Sequence, residues 1–369
     1  MTLESLLAQL VERQGSDLFV TVGSRPMVKV DGRLQPIDGA RLDEEQTLAL
    51  IRETLSPDHL ARFMATQEAN YAIHRPGLGR FRVSAFWQQA LPGMVLRRIE
   101  TRIPTFEELG LPDILKEIGM AKRGLVLFVG ATGTGKTTTQ AAMIGYRNQH
   151  SEGHILTVED PVEFVHRHGR SLITQREVGI DTASFDVALK SSLRQAPDVI
   201  LIGEVRSAET MAFALQFAET GHLCLATLHA NNANQAIDRI LHLVPTEKHR
   251  QLLFDLSCNL RGIIAQQLVP ALDGGRRCAV FEAMLNTPII SDILRKGEMH
   301  RLKEVMTRSP ELGMQTFDQG LFQLFMAGRI GLAEALAHAD SANDLRLQIK
   351  LSGKGPLDSG TLEGVTVDE

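Results

Sequence analysis

A chain of 369 residues, 43% hydrophobic and 22% charged, is long enough for two compact units and has the balance of a globular protein. A net charge of −5, with no basic patch interleaved with aromatics, gives no reason to expect nucleic acid as a partner. Uncharged apolar runs stay far below the ~20 residues of a membrane span, and no export signal or CxxC spacing is visible, so a cytoplasmic protein without a zinc knuckle or disulfide framework is expected.

Leu3, Leu6, Leu7 and Leu10 fall at helical spacing, and the pattern stops at Gly15. "DLFVTVGSRPMVKVDGRL" reads as short strands with a hairpin turn at Asp31-Gly32. A polar helix near residues 43–55 follows, then the strand-like "ANYAIH", "GRFRVSAFWQQ" and "GMVLRRI". Residues 1–100 thus read as an α+β domain, and the Pro-punctuated stretch 101–117 as a linker.

From residue 118 to 290 the texture is that of an α/β domain. "RGLVLFVG", "GHILTVED", "DVILIGE" and "HLCLATLHA" are short, nearly unbroken apolar runs, the pattern of strands buried on both faces of a mostly parallel sheet. After about residue 245 the chain reads as helical, through "EKHRQLLFDLSCNLRGIIAQQL" and on to "DQGLFQLFMAGR", and a helical C-terminal region is expected over 291–350. The stretch 351–369, rich in Gly, Ser and acid, reads as a disordered tail.

"GATGTGKTTT" fits the phosphate-loop pattern at Gly130, Gly135, Lys136 and Thr137, after an apolar strand and before a helix-like segment. Backbone N–H groups of such a loop wrap phosphates at a helix N-terminus. Lys136 is expected to neutralise β- and γ-phosphate charge, and the Thr137 hydroxyl to ligate Mg²⁺ beside ATP. Thr132, Gly133, Thr134 and Thr138 complete the expected nucleotide-binding set.

A carboxylate near the metal is also needed. Asp198 precedes the strand of "DVILIGE", whereas Glu204 follows it at the C-terminal end, where ligands of parallel sheets sit, so Glu204 is the candidate for holding Mg²⁺ through water. Glu159, Asp160 and Glu163 in "ILTVEDPVEF" either handle metal or water or form a solvated acidic turn. His222 and His229 bracket seven residues of strand, roughly 23 Å at about 3.3 Å per residue, too far to share one metal. His229 lies at the same strand end as Glu204 and the loop and is expected near the γ-phosphate; His222 is expected to be structural or interfacial.

Four segments together resemble the secretion-type hexameric ATPases, in the branch that retracts type IV pili. "RGLVLFVGATGTGKTTT" looks like the family's Walker A, "TVEDPVEFVH" its Asp box, "LIGEVRSAET" its atypical Walker B and "TGHLCLATLHANN" its His box. "LGMQTFDQGL" is similar to the C-terminal signature of the retraction branch, and the likeness runs from "GSDLF" to "SANDLRLQIK". Where PilT-type chains carry "AIRNLIR", this one reads "PIISDILRKGEMHRLKEVM", and it extends past the usual PilT end. The nearer resemblance is to the accessory, PilU-type retraction ATPases.

The resemblance implies a PAS-like N-terminal domain followed by a RecA-like P-loop motor domain, assembled as a homo-hexamer. It implies Mg²⁺-dependent ATP hydrolysis powering pilus retraction (twitching motility) at the inner-membrane base of the pilus machine. The implied partners are the inner-membrane platform protein and a PilT-type retraction ATPase. By resemblance Glu204 is the Walker B acid, Glu163 polarises the attacking water, His229 meets the γ-phosphate, and Lys136 and Thr137 bind nucleotide and Mg²⁺. Arginines of such proteins reach a neighbour's site, and Arg80, Arg82, Arg97 and Arg194 are the candidates here. Two other readings are an assembly or secretion ATPase of the same superfamily, which usually adds a tetracysteine zinc insert, and a non-hydrolysing ring partner, against which Glu163 and Glu204 argue.

Overall fold

The computed structural model describes residues 1–353 except 31, 38, 100, 101, 275 and 276. The tail expected to be disordered lies outside the described residues but for its first three, of which Leu351 closes a helix. Contacts divide the chain into two units: residues 1–104 with 158–168 and 173–188, and residues 105–157 with 169–172 and 189 onward.

The first unit opens on the helix Leu3–Glu12, capped by the Thr2 side chain, which accepts the Ser5 N–H. Its Leu3, Leu6, Leu7 and Leu10 are all buried, one stripe at the helical period. Six strands follow: β1 (Asp17–Thr21), β2 (Met27–Val30), β3 (Arg33–Pro36), β4 (Glu68–Arg75), β5 (Gly79–Gln88) and β6 (Leu91–Ile99). They form an antiparallel sheet in the order β3-β2-β1-β6-β5-β4. Val30 pairs with Arg33 on either side of the turn expected at Asp31-Gly32, of which Asp31 lies outside the described residues. The helix leucines pack with Leu18, Phe63, Phe81, Val83, Met94 and Leu96 in one core.

The polar helix expected over 43–55 is in fact followed closely by a second. Asp43 and Gln46 form a capping box for Glu44–Arg52, and Ser56 with Pro57 starts Pro57–Thr66. Proline has no N–H with which to continue a helix but fits the first position of a new one.

The other sheet contains β7 (Gly124–Val129), β8 (Gly153–Glu159), β9 (Ser171–Glu177), β10 (Val199–Ile202), β11 (Leu223–Leu228), β12 (Leu260–Val269) and β13 (Cys278–Leu285). The order is β13-β12-β7-β11-β10-β8-β9. Strands β10, β11, β7 and β12 run parallel and β13 antiparallel. Residues from 158 of β8 and 173 of β9 group with the first unit. Every residue of β7, β10 and β11 is buried, as unbroken apolar runs in a parallel sheet require.

The helical reading from about residue 245 onward is corrected at two strands, Leu260–Val269 and Cys278–Leu285. A helix, His249–Asn259, ends where β12 begins, and β13 follows. A short run buried on both faces carries no period that separates strand from buried helix, and here pairing with β7 and β13 decides. Beyond β13 come the helices Pro288–Lys296, Leu302–Thr307, Phe317–Met326, Leu332–Ala337 and Ala342–Leu351. No helix among the described residues is long and apolar enough to cross a membrane.

Candidate functional site

The nucleotide loop leaves β7 at Gly130, whose φ is +148°. A Cβ there would lie 2.6 Å from the Gln266 carbonyl oxygen, so no side chain fits. At the other end of the loop Gly135, with φ +88°, is the N-cap of the helix Lys136–His150 and supplies no capping side chain. Such a helix start presents first-turn N–H groups and the positive end of the dipole to an anion. Thr132 and Gly133 are exposed, and the half-buried Thr134 hydroxyl donates to the Ala131 carbonyl at 2.9 Å. Lys136 is buried, its ammonium donating to the carbonyls of Gly130 and Ala131 at 2.7 Å each. Thr137 and Thr138 are half-buried at the helix start.

Strand direction brings the remaining groups to this end. In the parallel pair Leu228 of β11 lies opposite Val129 of β7, so His229 and Gly130 leave their strands side by side. On the other flank Ile202 of β10 pairs with Ala226, and Glu204 follows two residues later. His229 Nε2 is 3.2 Å from Glu204 Oε1, while Glu204 Oε2 holds Arg206 at 2.6 Å. Burial alone would raise the Glu204 carboxyl; Arg206, with His229 and Lys136, outweighs it and holds the carboxyl below its ordinary range. Glu204 is therefore an ionised oxygen donor near the loop lysine. A depression of about 290 Å³ opens between the loop and the helix Ala233–Leu241 that follows His229, lined by Gly130, Ala131, His229, Asn231, Gln235 and Arg239.

At the opposite strand ends stand His222 and Asp198. His222 Nδ1 lies 3.0 Å from the Thr220 hydroxyl and 3.1 Å from the Phe217 carbonyl, a satisfied structural imidazole. Asp198 accepts the His154 N–H at 2.7 Å, away from the nucleotide loop.

Several supporting residues carried no sequence signal strong enough to single them out. Gln266 of β12 accepts from the Thr139 hydroxyl at 2.9 Å and packs against both loop glycines. Thr227 donates to Gln140 at 3.1 Å, tying β11 to the loop helix. Glu282 of β13 accepts the Ala233 N–H at 2.8 Å and so fixes the helix that starts after His229–Asn232. Burial pushes its carboxyl up to about 7. A polar residue inside an apolar strand was the only available signal for Gln266 and Glu282.

In the first unit Glu159 is buried, its carboxylate 3.3 Å from Gln175 Nε2, and Glu163 is exposed. Arg80 pairs with Glu177, and Arg97 holds Asp17 at 2.7 Å. Arg82 is exposed and lies directly across the ladder from Arg97. Arg194, in the second unit, is exposed on a short 3₁₀ turn.

A family model described as type II/IV secretion system protein matches residues 6–346. Type IV pilus ATPase PilU of Pseudomonas aeruginosa is 58% identical, over 100% of this chain and 97% of its own. Type IV pilus retraction ATPase PilT of the same organism is 40% identical, over 91% of this chain and 97% of its own. A crystal structure of the pilus retraction motor PilT with bound ADP superposes with a TM-score of 0.89 at 37% identity, covering 94% of this chain and 99% of that one. The chain thus belongs to the type II/IV secretion system protein family and carries its ATPase motor fold, in the branch represented by PilU and PilT.

Proposed function

We propose that this protein is an Mg²⁺-dependent ATPase that powers type IV pilus retraction as an accessory motor, in a ring of six at the inner-membrane base of the pilus, acting on the platform protein alongside a PilT-type ATPase. The observation that carries the reading is the 58% identity to PilU along the whole chain, with the nucleotide loop, Glu204 and His229 gathered at one sheet end. Lys136 exchanges its loop carbonyls for the β- and γ-phosphates. The loop N–H groups and helix start hold the same oxygens. The Thr137 hydroxyl and the ionised Glu204 are hard oxygen donors, which suits Mg²⁺ held by few protein groups plus phosphates and water. The bound ion would offset charge developing on the transferred phosphoryl group.

Glu163 accepts a proton from the attacking water as it adds to the γ-phosphorus and the bond to the bridging oxygen of the departing ADP breaks. His229, oriented by Glu204, stands where the γ-phosphate is sensed. Arg82 and Arg97 are opposite one another in the ladder, and like charges so placed are unfavourable without a counter-ion. Asp17, the next residue across, balances only one of them, which supports a role for this row in receiving a neighbour's nucleotide.

The test is retraction force and twitching in cells that lack this protein, its PilT-type relative, or both, complemented with wild type or Lys136→Ala. Full complementation by a Lys136→Ala variant that no longer binds ATP rules the motor reading out.

A further inference from the structure

Arg80 belongs to the set of arginines expected to act on a neighbouring subunit, yet its guanidinium is committed to Glu177 of its own chain, and both residues belong to the first unit. The Arg80 side chain is 19% exposed and that of Glu177 3%. A guanidinium that left this pair would strand a buried carboxylate, so Arg80 is poorly placed to reach outward. Arg82, two residues on and on the same strand face, is exposed and has no ion pair among the described residues.

Glu177 has a second task. Its Oε2 accepts the backbone N–H of Val162 at 3.1 Å, one residue before Glu163. The rest of that loop is laced to the same strand. Gln175 Nε2 donates to the Phe164 carbonyl at 2.8 Å, its Oε1 accepts the His166 N–H at 2.8 Å, and the Val178 N–H donates to the Glu159 carbonyl at 2.9 Å. Burial raises the Glu177 carboxyl, and the Arg80 charge and the Val162 N–H oppose that rise. Arg80 and the Val162 N–H thus meet the same buried carboxylate oxygen, Glu177 Oε2.

We propose that Arg80 is a positioning residue that acts in its own subunit: through Glu177 it fixes Val162, and with it the backbone that carries Glu163. This rests on the reading of Glu163 as the acid that activates water.

Glu177→Gln is the sharpest variant, because it keeps the side chain's shape and an acceptor and has no cation to offer a neighbour's phosphate. Glu177→Gln and Arg80→Ala should each slow ATP turnover by about 10²-fold, as small misplacements of a catalytic group do, with ADP affinity unchanged. Hydrogen exchange at Val162 should speed up in both. Arg80→Ala subunits are then mixed with Lys136→Ala subunits, and mixed rings are isolated through a tag on one variant. A residue acting in trans gives interfaces that pair an intact nucleotide loop with an intact arginine, so activity returns. A residue acting in cis leaves every site defective, and activity stays low. Recovery in the mixed ring, or normal turnover and unchanged Val162 exchange in Glu177→Gln, overturns the proposal. Glu163→Gln is assayed in parallel. If it hydrolyses ATP normally, the reading of Glu163 fails, and the Val162 exchange rate alone still decides whether Arg80 holds the loop.

Discussion

In the antiparallel sheet of the first unit, β5 buries Phe81, Val83 and Ala85 on one face and turns Arg80, Arg82 and Ser84 to the other. In the parallel sheet, β7, β10 and β11 bury every residue. The difference fixes where each region carries polar chemistry. A sheet covered on both faces leaves mainly the strand ends for charged groups, so Lys136, Glu204 and His229 gather where β7, β10 and β11 finish. A sheet with one apolar face carries charges along its length, in rows such as Arg82–Arg97–Asp17. The motor sheet places chemistry at points, and the N-terminal sheet spreads it over a surface.

The largest effect we expect tests whether the loop grouped with the first unit supplies an acid to that chemistry. Glu163→Gln should bind ATP and hydrolyse it ~10²–10⁴-fold more slowly, the usual cost of removing a general base. Single-turnover phosphate release checks it, and near-normal turnover by the folded variant sinks the assignment.

Next comes packing. Phe128→Ala, at a fully buried position of β7, should lower stability by about 3–5 kcal/mol, whereas Leu34→Ala on β3, 56% exposed, should stay within about 0.5 kcal/mol. Urea unfolding followed by tryptophan and far-UV signals measures both; similar losses would erase the contrast between the two sheets.

A buried carboxylate of the motor sheet gives a pH signature. Burial raises the Glu282 carboxyl to about 7 in the folded chain, against ~4.3 when unfolded. The folded state then binds the extra proton between these values. The resulting stabilisation is fully present below the unfolded value and lost as pH rises to about 7, roughly 4 kcal/mol in all at ~1.4 kcal/mol per pH unit. Glu282→Gln should therefore lose less stability than wild type between pH 5 and pH 8. Equal losses in the two proteins would show that Glu282 does not carry this slope.

The smallest effect compares the two ends of one strand. His222→Ala removes hydrogen bonds to Thr220 and Phe217 and should cost on the order of 1 kcal/mol of stability while leaving turnover intact. His229→Ala should slow hydrolysis and leave ADP affinity and stability nearly untouched. Matching catalytic defects in both variants would mean that strand direction does not separate these histidines.

Much of the motor site was legible because its signals are local. The loop glycines, Lys136 and Thr137 sit in one short segment whose conformation only glycine permits at Gly130 and Gly135. Glu204 and His229 could be placed because each follows an apolar run and parallel strands share a direction. Gln266 and Glu282 were not legible, since a lone polar residue within an apolar run does not announce its partner. Helix and strand were confused at residues 260–269 and 278–285 for a related reason: burial on both faces erases the period that tells them apart.

The sequence by itself determined the phosphate loop, the apolar runs of the parallel sheet and the end at which its chemistry collects, because glycine sterics, strand burial and strand polarity act over a few residues. Only the tertiary structure decided that Arg80 answers to Glu177, ninety-seven residues away, and that Glu177 holds the Val162 N–H. A lone arginine on an alternating strand looks the same in sequence whether it faces solvent, a neighbour's phosphate or a buried carboxylate of its own chain. Its role is set by which acid the fold brings within reach, and that depends on pairing between distant segments.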